Sequence, residues 1–177
     1  MANTLLLAQG LDVGNSLAER DMVGTARDLI ALARTERATL MLPVDAVVAR
    51  ALEPDAATRT VAIDQVPAKE MILDIGAKTV AAIEARLGQC RTLVWNGPVG
   101  AFETKPFDRG TIELAQAVAR LTRAGGLVSI AGGGDTVAAL AAAGATDALT
   151  YVSAAGGAFL EWLEGRTLPG IAALERP

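Results

Sequence analysis

Apolar residues recur along this chain with two periods, and the alternation between them predicts its elements. The opening MANTLLLAQG carries an apolar run that Gly10 stops, the pattern of a helix ended by a glycine. Ser16-Leu17-Ala18-Glu19 has the spacing of a capping box. Behind it Met22, Ala26, Leu29 and Ala33, with Val23 and Ile30 beside them, mark one face of a helix over 17–35. Ala38–Leu42 is a short apolar run ended by Pro43 and reads as a buried strand. Val44–Ala49 and Val61–Ile63 read as further strands, separated by the polar, proline-containing segment Glu53–Arg59. Met71–Ile75 leads into Gly76, and Val80, Ile83 and Leu87 give the inner face of a helix over 78–87.

The second half repeats the alternation more regularly. Thr92–Trp95 reads as a strand. Ile112, Leu114, Ala115, Val118, Ala119 and Leu121 mark a helix over 111–123 that Gly125 and Gly126 end. Leu127–Ala131 is a strand, Val137–Ala143 a short helix stopped by Gly144, Leu149–Val152 a strand and Gly157–Leu163 a helix. Pro169 and Gly170 open an irregular tail. Strands that alternate with helices through short connections imply right-handed crossovers, so the expected fold is α/β: a mostly parallel, Rossmann-like sheet with helices on both faces, in one domain over 1–177.

Composition narrows the chemistry. Apolar residues make up 51% of the 177 and aromatic residues only 3%, so the core is aliphatic. A net charge of −4 without long runs of like charge argues against a nucleic-acid partner. The absence of histidine excludes Ser-His-Asp hydrolysis, HExxH zinc sites and imidazole bases. The lone Cys90 excludes an internal disulfide and reads as a buried thiol in a cytoplasmic protein. No apolar run approaches the roughly 20 residues that span a bilayer, so no membrane partner is expected, and the N-terminus lacks the basic region and cleavage pattern of a signal peptide.

Ligands of a parallel sheet sit beyond the C-terminal ends of its strands, which singles out three loops. The first is SIAGGGDT, Ser129–Thr136. Its glycines allow several N–H groups to converge, and the following helix adds its own unpaired donors. Asp135 then holds a metal ion and Thr136 a phosphate oxygen; alternatively the glycines make a tight turn and Asp135 caps the helix. The loop is neither GxGxxG nor a P-loop. The second is WNGPVGAFE, Trp95–Glu103, where Asn96 faces a ligand or satisfies its own turn, and Glu103 accepts from a ribose diol or is a solvated charge. The third is SAAGGA, Ser153–Ala158, either a second helix N-terminus near the same anionic centre or a close-packed turn. Asp12, Asp45 and Asp74 stand at element ends and read as caps, Asp64 as a turn residue, Trp95 and Trp162 as packing residues, and Arg109, Arg120 and Arg123 as solvated charges.

In order and spacing, LVWNGPVGAFE, SIAGGGDTVAAL and GGAFLEWLEGRTLPG resemble the C-terminal, nucleotide-binding domain of the phosphoglycerate kinase family. MANTLLLAQG, VGNSLAE, LMLPVDAVVA and MILDIGAKT extend the resemblance over essentially the whole chain. The resemblance implies a two-domain glycolytic kinase that moves a phosphoryl group between 1,3-bisphosphoglycerate and ADP with Mg2+. It implies Asp135 as the magnesium-linked carboxylate, and Gly133, Gly134 and Thr136 at the ADP/ATP phosphates with Asn96 nearby. It further implies Glu103 on the ribose hydroxyls, Pro98 against the nucleoside, and the amides of Gly134, Gly156 and Gly157 at the transferring phosphoryl group.

The same resemblance identifies departures. In the family an N-terminal domain binds phosphoglycerate and supplies a catalytic arginine, a Gly-Gly-Ala-Lys motif brings phosphate-binding lysines, and a Gly-Gly pair precedes the segment that starts here at Met1. This chain is therefore expected to be an incomplete three-layer domain, inactive alone and meeting phosphoglycerate only through the N-terminal domain. Ala154 stands where the family carries threonine, and Ala155 is a smaller variation, so a hydroxyl is lost at that turn. Two other expectations stand beside this one: a nucleotide-binding module without catalysis, and a chain that self-associates through an exposed sheet edge.

Overall fold

The structure, a computed structural model, describes residues 1–153 and 156–174, with the side chains at 159, 160 and 163 outside the description. The chain divides into two compact units: Met1–Ile83 with Val99–Thr111, and Glu84–Pro98 with Ile112–Pro177.

The first unit opens with helix α1 (Ala2–Ala8). Gly10 ends it at φ +87°, where its own N–H and that of Leu11 close onto Leu7 and Leu6, the glycine stop expected from the sequence. The expected capping box does not form. The Ser16 hydroxyl donates to the Val13 carbonyl and accepts the Ile72 N–H at 2.8 Å, so it is spent fastening a loop to a strand. The next helix accordingly starts later, as a 3-10 turn at Arg20–Met22 followed by α2 (Val23–Thr35). Ala26 is buried on α2, whereas Met22 and Leu29 are exposed, which corrects the expected inner face.

Three strands follow: β1 (Asp45–Ala49), β2 (Arg59–Ala62) and β3 (Met71–Ile75), in the order β2-β1-β3 and antiparallel throughout. The alternation of strand and helix breaks here. Only a 3-10 turn, Ile63–Gln65, lies between β2 and β3, and without crossover helices the chain turns back on itself. Ala46, Val48 and Val66 form the core under this sheet, with Val61, Ile63 and Ile72 packed against it. The segment Ala38–Leu42 is not a strand, and Leu40 and Met41 are exposed. A strand needs a neighbour, and this segment pairs with neither edge strand, β2 or β3, of the sheet.

Helices α3 (Ala77–Leu87) and α4 (Arg109–Arg123) straddle the division between the units. Val80 and Leu87 on α3, and Leu114, Ala115 and Val118 on α4, are buried as the apolar spacing predicts. The second unit is built on β4 (Thr92–Asn96), β5 (Val128–Gly132) and β6 (Tyr151–Ser153), parallel and in chain order. Helices α5 (Gly134–Ala142) and α6 (Gly156–Leu163) follow β5 and β6. This parallel sheet with its helices is the α/β architecture read from the sequence. The tail is not irregular: Pro169–Leu174 forms α7, with proline at its first position. Trp162 is exposed and not a core residue, and Cys90 is partly exposed, its thiol donating to the Arg86 carbonyl.

Candidate functional site

Strand register brings the second unit's loops together. Asn96, Gly132 and Ser153 are partners across β4, β5 and β6, so they form one row at the C-terminal edge of the parallel sheet. The turns beyond that row are tied to each other. The Gly97 N–H donates to the Thr136 Oγ1 at 2.7 Å, joining the β4 loop to α5. The Gly133 N–H donates to the Ser153 carbonyl at 3.3 Å, joining the β5 loop to β6. The Trp95 indole N–H closes on the Gly97 carbonyl at 2.6 Å, so this tryptophan also shapes the loop.

The glycine run has a more specific geometry than a flexible turn. Gly133 lies at φ +99° and is itself the N-cap of α5, with no side-chain cap. The helix begins at Gly134, three residues before the expected Val137, because a residue with positive φ lets the strand enter the helix directly. Asp135 and Thr136 therefore sit inside the first turn. The reading of Asp135 as the cap does not hold. The first bond onto Gly133 comes from Val137, and among the described residues nothing accepts from the N–H groups of Gly134, Asp135 and Thr136. The Asp135 side chain is exposed, and among the described residues nothing hydrogen-bonds or pairs with it. Thr136 is only 1% exposed, and its oxygen already takes the Gly97 N–H.

Gly156 and Gly157 differ sharply. A Cβ on Gly156 would lie 2.3 Å from the Gly133 nitrogen and 2.5 Å from its Cα, so the two glycine turns interlock backbone against backbone. A Cβ on Gly157 would meet nothing within 4 Å. Ala154 and Ala155, where the sequence departs from its resemblance, lie outside the described residues. Asn96 is exposed, with its Oδ1 3.3 Å from where a Gly133 Cβ would stand, and Pro98 is half-buried. Glu103 belongs to the first unit, where it is exposed in a run of turns. The contributions of Gly97 and Ser153 escape a reading by residue type, since one acts through its N–H and the other through its carbonyl. The Asn-Gly pair was the available signal for Gly97, which lies at φ +92°.

Asp12, Asp45, Asp64 and Asp74 stand in caps and turns of the first unit, as expected. Asp45 is buried and accepts from the N–H groups of Lys78 and Thr79 at 3.1 and 2.9 Å and from the Thr79 hydroxyl at 2.6 Å, capping α3 from a strand. Burial pushes its carboxyl up, but these hydrogen bonds and the charge of Lys78 outweigh burial and hold it below its ordinary 3.8. Asp74, 1% exposed, accepts the Gly110 N–H at 2.8 Å and caps α4 in the same way. Asp12 accepts the Gly14 N–H in a tight turn, and Asp64 lies in the 3-10 turn before Pro67. Arg120 is largely solvated but pairs with Glu84 at 2.6 Å. A concavity of about 490 Å³ in the first unit, lined by Ala8, Gln9, Arg27, Ile30 and Arg34, contains none of the expected residues.

No group of acids, cysteines or histidines that holds a metal by itself occurs among the described residues. The donor set offers instead one carboxylate, Asp135, beside N–H groups, all without partners among the described residues. That set fits Mg2+, which is commonly held by one or two carboxylates and the phosphates of a substrate.

A parallel α/β sheet whose strand ends lead through glycine turns into helices is the class of fold the geometry defines. The phosphoglycerate kinase family model matches residues 1–166, and the chain belongs to that family. It is 58% identical over 174 residues to phosphoglycerate kinase from Methylorubrum extorquens strain PA1, and equally so to that of Cereibacter sphaeroides strain ATCC 17025. Those matches take in 98% of this chain and 44% of the relatives, so the chain spans less than half their length. Among solved structures, it matches phosphoglycerate kinase from Coxiella burnetii with a TM-score of 0.91 and 47% identity, over 97% of this chain and 43% of that one. Phosphoglycerate kinase from Pyrococcus horikoshii OT3 matches with a TM-score of 0.77 and 27% identity, over 98% of this chain and 43% of that one. No helix among the described residues is long and apolar enough to cross a membrane.

Proposed function

We propose that this chain supplies the nucleotide side of phosphoryl transfer between 1,3-bisphosphoglycerate and ADP. The observation that carries the reading is the first turn of α5, where three N–H groups and the Asp135 carboxylate, without partners among the described residues, stand beside the Asn96–Gly132–Ser153 row. In this reading the amides of Gly134, Asp135 and Thr136 receive phosphate oxygens, while the Thr136 hydroxyl holds the Asn96 loop in place. Asp135 takes part in holding Mg2+, whose role when bound is to neutralise phosphate charge. Pro98 walls the nucleoside. The terminal ADP oxygen forms the new bond to phosphorus while the acyl oxygen leaves as a carboxylate. Little covalent work falls to the protein: positioning and charge stabilisation by the amides of Gly134, Gly156 and Gly157 do most of it.

The reading gives the 177-residue polypeptide negligible turnover by itself, because the resemblance assigns the phosphoglycerate site, a catalytic arginine and the phosphate-binding lysines to segments outside these residues. It also places the protein in the cytoplasm, in keeping with its single cysteine. Calorimetric titration with MgADP tests the binding half. The expected result is weak binding that Asp135→Ala reduces at least tenfold; absence of heat at millimolar ligand overturns it. A coupled assay tests the other half, where near-normal ATP formation by the purified chain contradicts the predicted inactivity.

A further inference from the structure

The concavity of the first unit is lined by two cations and no acid, in a chain whose net charge is −4. Its walls come from the end of α1, at Ala8 and Gln9, and from Arg27, Ile30 and Arg34 of α2. Positions 27, 30 and 34 follow the spacing of one helix face, so the two arginines flank Ile30. No neighbour along the helix neutralises them. Three and four residues from Arg27 stand Val23, Gly24, Ile30 and Ala31; the same positions around Arg34 hold Ile30, Ala31, Arg37 and Ala38. Among the described residues neither guanidinium has a hydrogen bond or an ion pair, whereas Arg59 and Arg120 are each held by a glutamate. Ala8 and Ile30 are half-buried and form the apolar part of the lining, and Gln9 is exposed.

We infer that this concavity binds a linear dicarboxylate, a molecule with a carboxylate at each end of an aliphatic chain. A guanidinium presents paired N–H donors that match the two oxygens of a carboxylate. The rise of a helix sets the Cα atoms of Arg27 and Arg34 about 10.5 Å apart along α2, a spacing that suits one carboxylate per arginine rather than one shared by both. The volume of about 490 Å³ is that of a small-molecule site. Ile30 and Ala8 decide what joins the two anionic ends. Methylene groups pack against these side chains, whereas a polyphosphate brings charge over Ile30 with no donor to meet it. A dianion neutralises both arginines, and a monoanion leaves one uncompensated. The site lies within the first unit and shares no residue with the nucleotide reading.

Calorimetric titration of the 177-residue chain with suberate tests the inference, with hexanoate and pyrophosphate as comparisons. Suberate is expected to bind one to one, at least tenfold more tightly than either. Arg27→Gln and Arg34→Gln are each expected to weaken suberate binding at least tenfold. Arg123→Gln removes an exposed arginine at the end of α4, makes the same change in net charge, and is expected to leave binding unchanged. Because neither Arg27 nor Arg34 holds a partner among the described residues, the urea midpoints of their variants are expected to match the wild type, which separates loss of binding from loss of fold. NMR of the wild-type chain locates the site without any variant: suberate is expected to shift the Gln9 side-chain amide and the Ile30 methyl signals most. Absence of saturable suberate binding at millimolar ligand overturns the inference. Equal affinity for hexanoate, tighter binding of pyrophosphate, indifference to both arginine substitutions, or shifts centred away from α1 and α2 does the same.

Discussion

In the first unit Asp45 and Asp74 reach from strands to the N-termini of α3 and α4, and both are buried with their oxygens engaged. In the second, Asp135 sits within the first turn of α5, exposed and without a partner among the described residues. All three acids stand where a helix dipole favours negative charge. The difference lies in what each N-terminus has left to offer. Helices α3 and α4 spend N–H groups on carboxylates the fold itself delivers. Helix α5 takes its cap from Gly133, which has no side chain to spend, so no carboxylate among the described residues closes on its first turn. An acid at a helix start is thus structural or functional according to whether the fold closes the donors around it.

The comparison breaks most visibly if Asp74 is removed. Asp74→Ala strands the buried Gly110 N–H and empties the space that Gly100 and Gly110 leave for the carboxylate, where any Cβ on either glycine would fall within 2.5 Å of it. A loss of about 3 kcal/mol is expected, the upper range for a buried hydrogen bond to a charged group. Urea unfolding measures it, and a loss below about 1 kcal/mol would show that Asp74 is not the cap described.

Gly156→Ala probes the interlock that keeps the second unit's donors converged. Its Cβ meets backbone rather than a movable side-chain end, so one turn must shift, at a cost of about 2 kcal/mol. Gly157→Ala, with open space at its Cβ, is expected to stay within about 0.5 kcal/mol. Equal effects on the urea midpoint would remove the distinction between the two glycines.

That distinction shows where sequence stops informing. The parallel sheet and its helices were legible, because apolar period and strand ends are local properties of β4, β5 and β6. So was the structural use of Asp45 and Asp74. The interlock of Gly156 with Gly133 was not, since two glycine pairs look alike until the backbone crossing is known. The start of α5 was misread for a related reason: Gly133 caps by its φ, and glycine spelling does not reveal the sign of φ. Ala38–Leu42 has the composition of a strand, but strand formation depends on pairing with a neighbour, which no window of sequence contains.

A smaller effect separates the acids by pH. The Asp45 carboxyl is held below 3.8 in the folded chain, so the fold favours its ionised form. That contribution is complete above the unfolded value of about 3.9 and is lost as pH falls through the folded one. Asp45→Asn is therefore expected to weaken the chain at neutral pH and to flatten its loss of stability below about pH 4. Urea midpoints measured from about pH 6 down to about pH 3 check this, and parallel curves for the two proteins would rule Asp45 out as a source of the acid dependence.

The smallest expected change in stability belongs to Asp135, and it carries the most information. Asp135→Asn removes a charge near the positive end of α5 but breaks no contact, since the carboxylate has no partner among the described residues. The dipole interaction at an exposed first turn is worth about 0.3–1 kcal/mol, so the urea midpoint is expected to move little. MgADP binding by the same variant is expected to fall at least tenfold, because the phosphates and their cation lose the carboxylate. A large loss of stability would place Asp135 with Asp45 and Asp74 as a structural acid, whereas unchanged binding would leave the first turn's amides as the whole of the anion site.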